Sequence, residues 1–165
     1  GLFGDGAAAA IVAGENVAEV SGPRVIDTRS VFYPNTEDLM GWRISERGFG
    51  VVLSPRVPAV ARERLPQDVD LFLAQHQLSR RDIAVWICHP GGPKVLEAMQ
   101  TGLELPPDAL ELTWKSLREV GNLSSASVLF VLDDTLRERP PAPGSFGMLL
   151  AMGPGFCSEL VLLKW

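Results

Sequence analysis

The sequence is poor in metal-binding residues and in clustered positive charge, and each scarcity excludes a class of function. Only two cysteines and two histidines occur among 165 residues, and they lack the close spacing that zinc and iron–sulfur sites use. We therefore expect reduced thiols and no metal. The 15 basic residues are outnumbered by 20 acidic ones and form no stripe that could bind a phosphate backbone. Nucleic acid is not an expected partner.

Long apolar runs are also missing. The longest, residues 7–13, is far shorter than the roughly 20 residues that a membrane-spanning helix needs. No basic stretch precedes this run and no cleavage region follows it, so a secretory signal is not indicated. We expect a cytoplasmic protein without a membrane span. The hydrophobic content of 46% predicts one α/β unit over residues 1–165 with a single ordinary core.

The chain has no initiator methionine, and it begins within the glycine-rich sequence GLFGDG. A natural amino terminus rarely has this composition. We therefore expect that this sequence is a fragment, a cleaved chain or one side of a gap, and that more polypeptide lies upstream.

Apolar runs and turn residues predict the order of strands and helices. Strands are expected at residues 7–12, 24–33, within 42–53, and at 83–88, 146–152 and 157–163, the first of them buried on both faces. Gly153-Pro154-Gly155 predicts a tight turn between the last two strands. Helices are expected at residues 58–77, 95–103 and 108–120, and from a cap at Ser124 or Ser125 to residue 136. Pro66 should interrupt or kink the first helix.

Two polar residues stand where α/β folds often place reacting groups. His89 lies at the end of a predicted buried strand and just before a helix. The alternative is a structural histidine that bonds nearby backbone. Asn122 follows Gly121 at the start of the next element, where it could be a helix cap or a catalytic hydrogen-bond donor. Position alone leaves both alternatives open.

Five segments, read in order, carry a family resemblance: LFGDGAAAAIV, residues 48–58, HPGGPKVLEA, GNLSSASVLFVL and AMGPG. Together they resemble the chalcone and stilbene synthase family, the type III polyketide synthases, over nearly the whole chain. Related ketoacyl-carrier-protein synthases usually have Gln, Ala and Asn after the active-site histidine, where this sequence has Pro90-Gly91-Gly92. The resemblance implies the C-terminal half of a thiolase-like αβαβα fold that works as a homodimer.

The resemblance also implies a Cys-His-Asn triad whose cysteine lies in an N-terminal half, upstream of this chain. His89 would favour the thiolate of that cysteine. His89 and Asn122 would then stabilise the enolate that forms when malonyl-coenzyme A loses carbon dioxide. Cys88 adjoins His89 on a strand, where successive side chains point to opposite faces, and Cys157 resembles a core thiol. Neither is expected to be the nucleophile, and no cofactor is expected beyond the coenzyme A thioester substrates.

Several further residues match substrate-binding positions of the family. Phe3 matches an aromatic gatekeeper, although it could equally be a core residue. Val51 aligns with a second gatekeeper that is usually phenylalanine, and Trp42 stands where plant enzymes often have glycine. Ser124 would lie near the growing chain, unless it is a helix cap. Pro154 would shape the cyclisation pocket, although Ala151 and Met152 depart from the family's GFGPG loop.

The turn after His89 is expected to contact coenzyme A. Gly91 and Gly92 would let the backbone approach the ligand, and the following helix would present free N–H groups. Lys94 could bind the ligand or remain a solvated surface charge.

The sequence therefore predicts a synthase that condenses an acyl-coenzyme A starter with malonyl-coenzyme A, cyclises the product, and is active only with the N-terminal half. The departures from the plant pattern favour an alkylpyrone or alkylresorcinol product. Two alternatives are a ketoacyl synthase that uses carrier-protein thioesters and a non-catalytic half-subunit that has lost its nucleophile.

Overall fold

Strands and helices alternate along the chain and build one mixed sheet with a separate hairpin. A computed structural model describes residues 3–17 and 21–165. In chain order the elements are β1 (Arg24–Phe32), β2 (Met40–Ser45), β3 (Gly48–Leu53), α1 (Val57–Gln75), β4 (Ile83–Cys88), α2 (Pro93–Gly102), α3 (Glu111–Glu119), α4 (Ser127–Glu138), β5 (Phe146–Gly153) and β6 (Cys157–Lys164). Within these described residues, four strands form a sheet in the order β1-β6-β5-β4, while β2 and β3 pair only with each other.

The sheet confirms the hairpin expected near the end of the chain. β5 and β6 pair antiparallel, and Gly153 lies opposite Cys157 across the predicted glycine–proline turn. Gly155 has a φ of +133°, a conformation that residues with a Cβ rarely adopt. β4 runs parallel to β5, because the connection between them contains helices that carry the chain back across the sheet. The carboxyl ends of β4 and β5 therefore point the same way.

Side chains of the central strands alternate between two hydrophobic cores. Met148 and Leu150 of β5 belong to the larger core, which includes buried residues of α1 and α2. Ile87 of β4 belongs to a smaller core that contains Val128 and Val131 of α4. Helices therefore cover both faces of the sheet at β4 and β5, which explains why these two strands appear in the sequence as nearly continuous apolar runs.

Helix α1 continues through Pro66, so of the two expected effects the interruption is wrong, and the kink stays a prediction. Proline has no N–H to donate to the carbonyl four residues earlier, which belongs to Arg62. Gly102, at the end of the neighbouring helix α2, packs closely against this part of α1. A Cβ on Gly102 would lie 2.9 Å from the Arg62 carbonyl oxygen and 3.4 Å from Cγ of Pro66. Packing of α1 against α2 therefore accommodates the proline within a continuous helix.

The prediction of a strand buried on both faces at residues 7–12 is also wrong. These residues form no strand and are exposed, and Ile11 is 97% exposed. A strand needs a neighbour to accept its hydrogen bonds, and no strand within residues 3–17 and 21–165 pairs with this segment. In the same described ranges, no helix has the length and apolar character needed to cross a membrane.

The predicted serine cap of the fourth helix is wrong in detail. Ser124 begins a short 3₁₀ turn, and α4 begins only at Ser127. Neither Ser124 nor Ser125 makes a capping hydrogen bond in the described structure. The remaining predicted strands and helices are confirmed, with ends that differ by a few residues.

The β2–β3 hairpin presents an apolar face to solvent. Trp42 lies opposite Val51 and Ile44 lies opposite Phe49, so these four side chains share one face. Trp42 is 58% exposed and Phe49 is 72% exposed. Their rings meet edge to face, with centroids 6.2 Å apart. Contact within the hairpin therefore covers only part of this face.

Candidate active site

His89 lies one residue beyond β4, and the sheet fixes its backbone. Its N–H donates to the Leu150 carbonyl of β5 at 2.8 Å, which continues the pairing of the two parallel strands. The side chain is half-buried at the edge of the core. Burial lowers the pKa of the imidazole below its ordinary value of 6.5, because a low-dielectric environment disfavours the charged form. The neutral imidazole is therefore the favoured form at neutral pH.

A tight glycine turn follows His89 and supports its ring. The Gly91 N–H donates to the His89 carbonyl at 2.9 Å. A Cβ built on Gly91 would lie 3.5 Å from Cδ2 and 3.7 Å from Nε2 of His89, so the imidazole lies directly against Gly91. Gly92 has a φ of +147° and precedes Pro93, the first residue of α2. The turn thus needs glycine at position 92 for its backbone conformation.

Asn122 reaches the same turn from a distant part of the chain. Its Nδ2 donates to the Gly91 carbonyl at 3.2 Å, and its Oδ1 accepts from the Ser124 N–H at 2.9 Å. A carboxamide nitrogen carries two N–H groups, so one remains after the bond to Gly91. The structure therefore brings the His89 imidazole and the Asn122 carboxamide together at one glycine. The catalytic roles assigned to them stay predictions.

Phe3 and Ser124 lie beside Asn122, and Lys94 follows the glycine turn by two residues. Phe3 is exposed and precedes Gly4, whose N–H donates to the Asn122 carbonyl at 2.8 Å. Ser124 is exposed and has a φ of +58°, and its N–H orients the Asn122 amide as described above. Lys94 lies in the first turn of α2 and lines a shallow groove of about 320 Å³ together with Arg62. All three positions are compatible with contact to a ligand, and their binding roles stay predictions.

Val51 and Pro154 belong to a second group. Val51 lies on the exposed face of the hairpin, opposite Trp42. Pro154 lies in the turn between β5 and β6, and the next residue, Gly155, donates its N–H to the Met40 carbonyl of β2 at 3.3 Å. This contact joins the turn to the hairpin. Within the described ranges, no hydrogen bond links either residue to His89 or Asn122.

Neither cysteine has the surroundings of a nucleophile. Cys88 is fully buried, and burial raises the pKa of its thiol to about 12. Cys157 is half-buried at the start of β6, and burial raises the pKa of its thiol also. A thiol with a raised pKa is protonated at neutral pH and reacts slowly. In residues 3–17 and 21–165 no group of three or more His, Cys, Asp or Glu side chains could hold a metal ion.

Sequence reasoning did not find the hydrogen bonds that hold the loop at Asn122. Besides Gly4, the loop is held by Ser127, whose Oγ accepts from the Leu123 N–H at 2.6 Å. The available signals were a single polar residue within the apolar run after Ser125 and a glycine near the start of the chain. Neither signal indicates which backbone group it serves, because the partners are brought together only by the fold.

A larger cavity lies at the opposite end of β4. Its volume is about 740 Å³, and its lining includes Arg81, Ile83 and Leu103. His89 lies at the carboxyl end of the strand, whereas Ile83 is its first residue. The conjunction of an imidazole, a carboxamide and a glycine turn therefore identifies the candidate site better than cavity size does.

Comparisons with known proteins place the chain in a family. The family profile described as "Chalcone and stilbene synthases, C-terminal domain" matches residues 25–165. A "1,3,6,8-tetrahydroxynaphthalene synthase" of Streptomyces peucetius subsp. caesius is 54% identical over 99% of this chain and 44% of its own length. A "3,5-dihydroxyphenylacetyl-CoA synthase" of Amycolatopsis orientalis is 37% identical over 99% of this chain and 45% of its own length. The chain thus spans less than half the length of these curated relatives.

A solved structure agrees with these sequence relatives. The crystal structure of 1,3,6,8-tetrahydroxynaphthalene synthase from Streptomyces coelicolor A3(2), a bacterial type III polyketide synthase, superposes with a TM-score of 0.82. It is 33% identical, and the match covers 87% of this chain and 41% of that chain. The chain therefore belongs to the chalcone and stilbene synthase family of type III polyketide synthases, and its α/β fold is that of the C-terminal half of the thiolase-like enzyme.

Proposed function

We propose that this chain supplies the histidine and asparagine of a polyketide synthase that condenses an acyl-coenzyme A starter with malonyl-coenzyme A. The observation that carries the proposal is the meeting of His89 and Asn122 at Gly91. The nucleophilic cysteine would come from an N-terminal half, because neither thiol of this chain favours its thiolate. As in the family resemblance, the complete enzyme would be a cytoplasmic homodimer.

The proposed chemistry uses the two side chains as hydrogen-bond donors. Loss of carbon dioxide from malonyl-coenzyme A leaves an enolate whose negative charge lies largely on the thioester oxygen. An N–H of His89 and the remaining N–H of Asn122 would stabilise that oxygen. The enolate carbon would then attack the acyl group on the cysteine, forming the new carbon–carbon bond and releasing the cysteine sulfur. No metal is needed for these steps.

The turn at Gly91 and Gly92 would bind the coenzyme A arm. Gly92 has no atom within 4 Å of the place where a Cβ would stand, so this space is open to a ligand. Lys94 and Arg62 line the adjacent groove and could bind the phosphates of coenzyme A. Phe3, Val51, Ser124 and Pro154 would then contact the acyl chain.

The direct test is substitution of the two proposed donors in the protein that carries this chain. His89→Ala should abolish malonyl-coenzyme A decarboxylation together with condensation, because both steps use the same oxyanion site. Asn122→Ala should lower kcat for condensation by about a hundredfold or more, the usual effect of losing one oxyanion donor. His76→Ala is the matched control, since His76 pairs with Asp27 away from this turn. Undiminished decarboxylation by His89→Ala would refute the role of this histidine.

Two product classes compete. The departures of Ala151 and Met152 from the plant loop favour an alkylpyrone or alkylresorcinol, whereas the 54% identical relative is named for a tetrahydroxynaphthalene. An alkylpyrone or alkylresorcinol keeps the alkyl chain of its starter, so its mass should rise with starter length. A tetrahydroxynaphthalene should have one mass whatever starter is supplied. Mass spectrometry of products from a series of acyl-coenzyme A starters separates the two.

The two other functional classes can be tested with the same protein. Efficient use of carrier-protein thioesters, without use of free malonyl-coenzyme A, would favour a ketoacyl-carrier-protein synthase. Absence of any acyl transfer by the full-length protein would favour a non-catalytic subunit. The comparisons support neither, since the relatives reported above are named as synthases and one as a type III polyketide synthase.

A further inference from the structure

The peptide group between Asn122 and Leu123 is held on both of its sides. Its carbonyl oxygen accepts from the Gly4 N–H at 2.8 Å, and its N–H donates to Ser127 Oγ at 2.6 Å. A peptide group is planar, so two bonds from opposite directions fix its rotation. The backbone that leads to the Asn122 side chain is thereby fixed as well.

The bond to Ser127 does not have the form of an ordinary helix cap. A capping hydroxyl precedes its helix and accepts from an N–H in the first turn. Ser127 is instead the first residue of α4, and its hydroxyl accepts from Leu123, four residues earlier and outside the helix. A 3₁₀ turn of Ser124–Ala126 separates the two. The hydroxyl therefore serves the loop that carries Asn122 and leaves the helix N–H groups untouched.

Burial makes this hydroxyl hard to replace. Ser127 is 0% exposed, so water cannot reach the Leu123 N–H from the Ser127 side to take over the lost bond. A buried N–H without an acceptor is unfavourable, and rotation of the peptide plane is the simplest way to relieve it. Such a rotation would move the Asn122 amide away from Gly91.

We propose that Ser127 is a positioning residue, which holds the Asn122 carboxamide at its catalytic angle through the Leu123 N–H. The inference rests on the proposed function, because it assigns to Ser127 an effect that operates only through Asn122. Ser127 does not contact the reacting atoms in this account. Its loss should therefore lower the rate of the chemical steps more than it weakens substrate binding.

The test is a double-mutant cycle in the full-length protein that carries this chain. Ser127→Ala should lower kcat for malonyl-coenzyme A condensation by ~10-fold to 100-fold, as expected for a small misplacement of a catalytic group. The KM for malonyl-coenzyme A should change by less than ~2-fold, because ground-state contacts remain. In the Asn122→Ala background the same substitution should lower kcat by less than ~2-fold, because residues that act as one unit are non-additive.

Thr135→Val is the matched control. Thr135 is another buried hydroxyl of α4, and its Oγ1 donates to the Val131 carbonyl at 2.8 Å. Its loss should lower the denaturation midpoint without lowering kcat. If Ser127→Ala does not fold, Ser127→Cys is measured in both backgrounds, since a thiol of similar size is a weaker acceptor. It should show the same non-additivity.

The outcomes separate the two proposals. A large loss with Asn122→Ala, together with an equal loss from Ser127→Ala in both backgrounds, would overturn the positioning role and leave the proposed function intact. An unchanged kcat with Ser127→Ala would overturn it also. An unchanged rate with Asn122→Ala alone would instead remove the function on which the inference rests.

Discussion

The turn at His89 and the β2–β3 hairpin both carry predicted site residues, but they are held in different ways. Backbone bonds to Leu150 and Gly91 fix His89, and Asn122 bonds to the same turn. Among the described strands, β2 and β3 of the hairpin pair with each other and not with the sheet, and the ring of Phe49 is exposed. The polar centre of the site is therefore determined by contacts within this chain. The apolar face that carries Val51 has no comparable contacts in the described residues.

The largest difference between the two regions should appear in core stability. Leu150 is fully buried beside the backbone that holds His89, so Leu150→Ala should lower the free energy of unfolding by about 2–5 kcal/mol. Leu53→Ala on the partly exposed hairpin should lower it by about 1 kcal/mol or less. Urea denaturation of both variants measures this contrast. Equal losses would show that the hairpin is as firmly packed as the sheet.

Substitution in the glycine turn should have the next largest effect on stability. Gly92 has a φ of +147° and a ψ of 163°, a conformation that is essentially restricted to glycine. Gly92→Ala should lower the free energy of unfolding by about 1–3 kcal/mol and lower the condensation rate as well. Gly41→Ala is the control, because its Cβ would make only an ordinary 3.7 Å contact. If the two variants unfold alike, strain at Gly92 is not what shapes the turn.

A smaller effect is expected within the hairpin itself. The edge-to-face contact of Trp42 and Phe49 should give a coupling energy of about 0.5–1.5 kcal/mol in a double-mutant cycle. The cycle uses Trp42→Ala, Phe49→Ala and the double variant, measured by chemical denaturation. A coupling energy near zero would mean that this pair does not help to hold the face together.

The smallest effect should be a pH dependence from His89. Burial lowers the pKa of its imidazole in the folded protein, so the unfolded chain binds a proton more readily. The free energy of unfolding should therefore decrease as the pH falls below about 6.5. His89→Gln should flatten this slope below about pH 6.5, as measured by urea denaturation at several pH values. An unchanged slope would show that His89 does not contribute to it.

Local sequence signals predicted the framework well where one segment determines the outcome. Gly153-Pro154-Gly155 was expected as a turn and joins β5 to β6. His89 was expected at the end of a buried strand and lies there. In both cases turn residues and apolar runs were sufficient for the prediction, because neither the turn nor the strand end depends on which distant residue packs against it.

The wrong predictions share a physical cause, which is dependence on a distant contact. Pro66 was expected to interrupt or kink α1, yet the helix continues, with Gly102 of α2 packed beside Pro66 and the Arg62 carbonyl. Residues 7–12 have the composition of a buried strand but lack a neighbour in the described structure. Ser124 or Ser125 was expected to cap a helix, whereas the hydroxyl that bonds the loop belongs to Ser127. A local sequence pattern does not indicate which distant residue will contact a given segment in the fold.

The parallel pairing of β4 and β5 fixes the distance between His89 and the turn that follows β5. Cys88 pairs with Leu150, so His89 is level with Ala151, and two further residues along β5 reach Gly153, a span of about 7 Å at the usual strand rise. Any molecule that touched both the imidazole and the final glycine turn would have to match that length. Inserting one residue in β5 would turn Met152 away from the core, because strand faces alternate. Changes in side-chain size can therefore alter the space between the imidazole and the glycine turn with less disturbance of the core than changes in strand length.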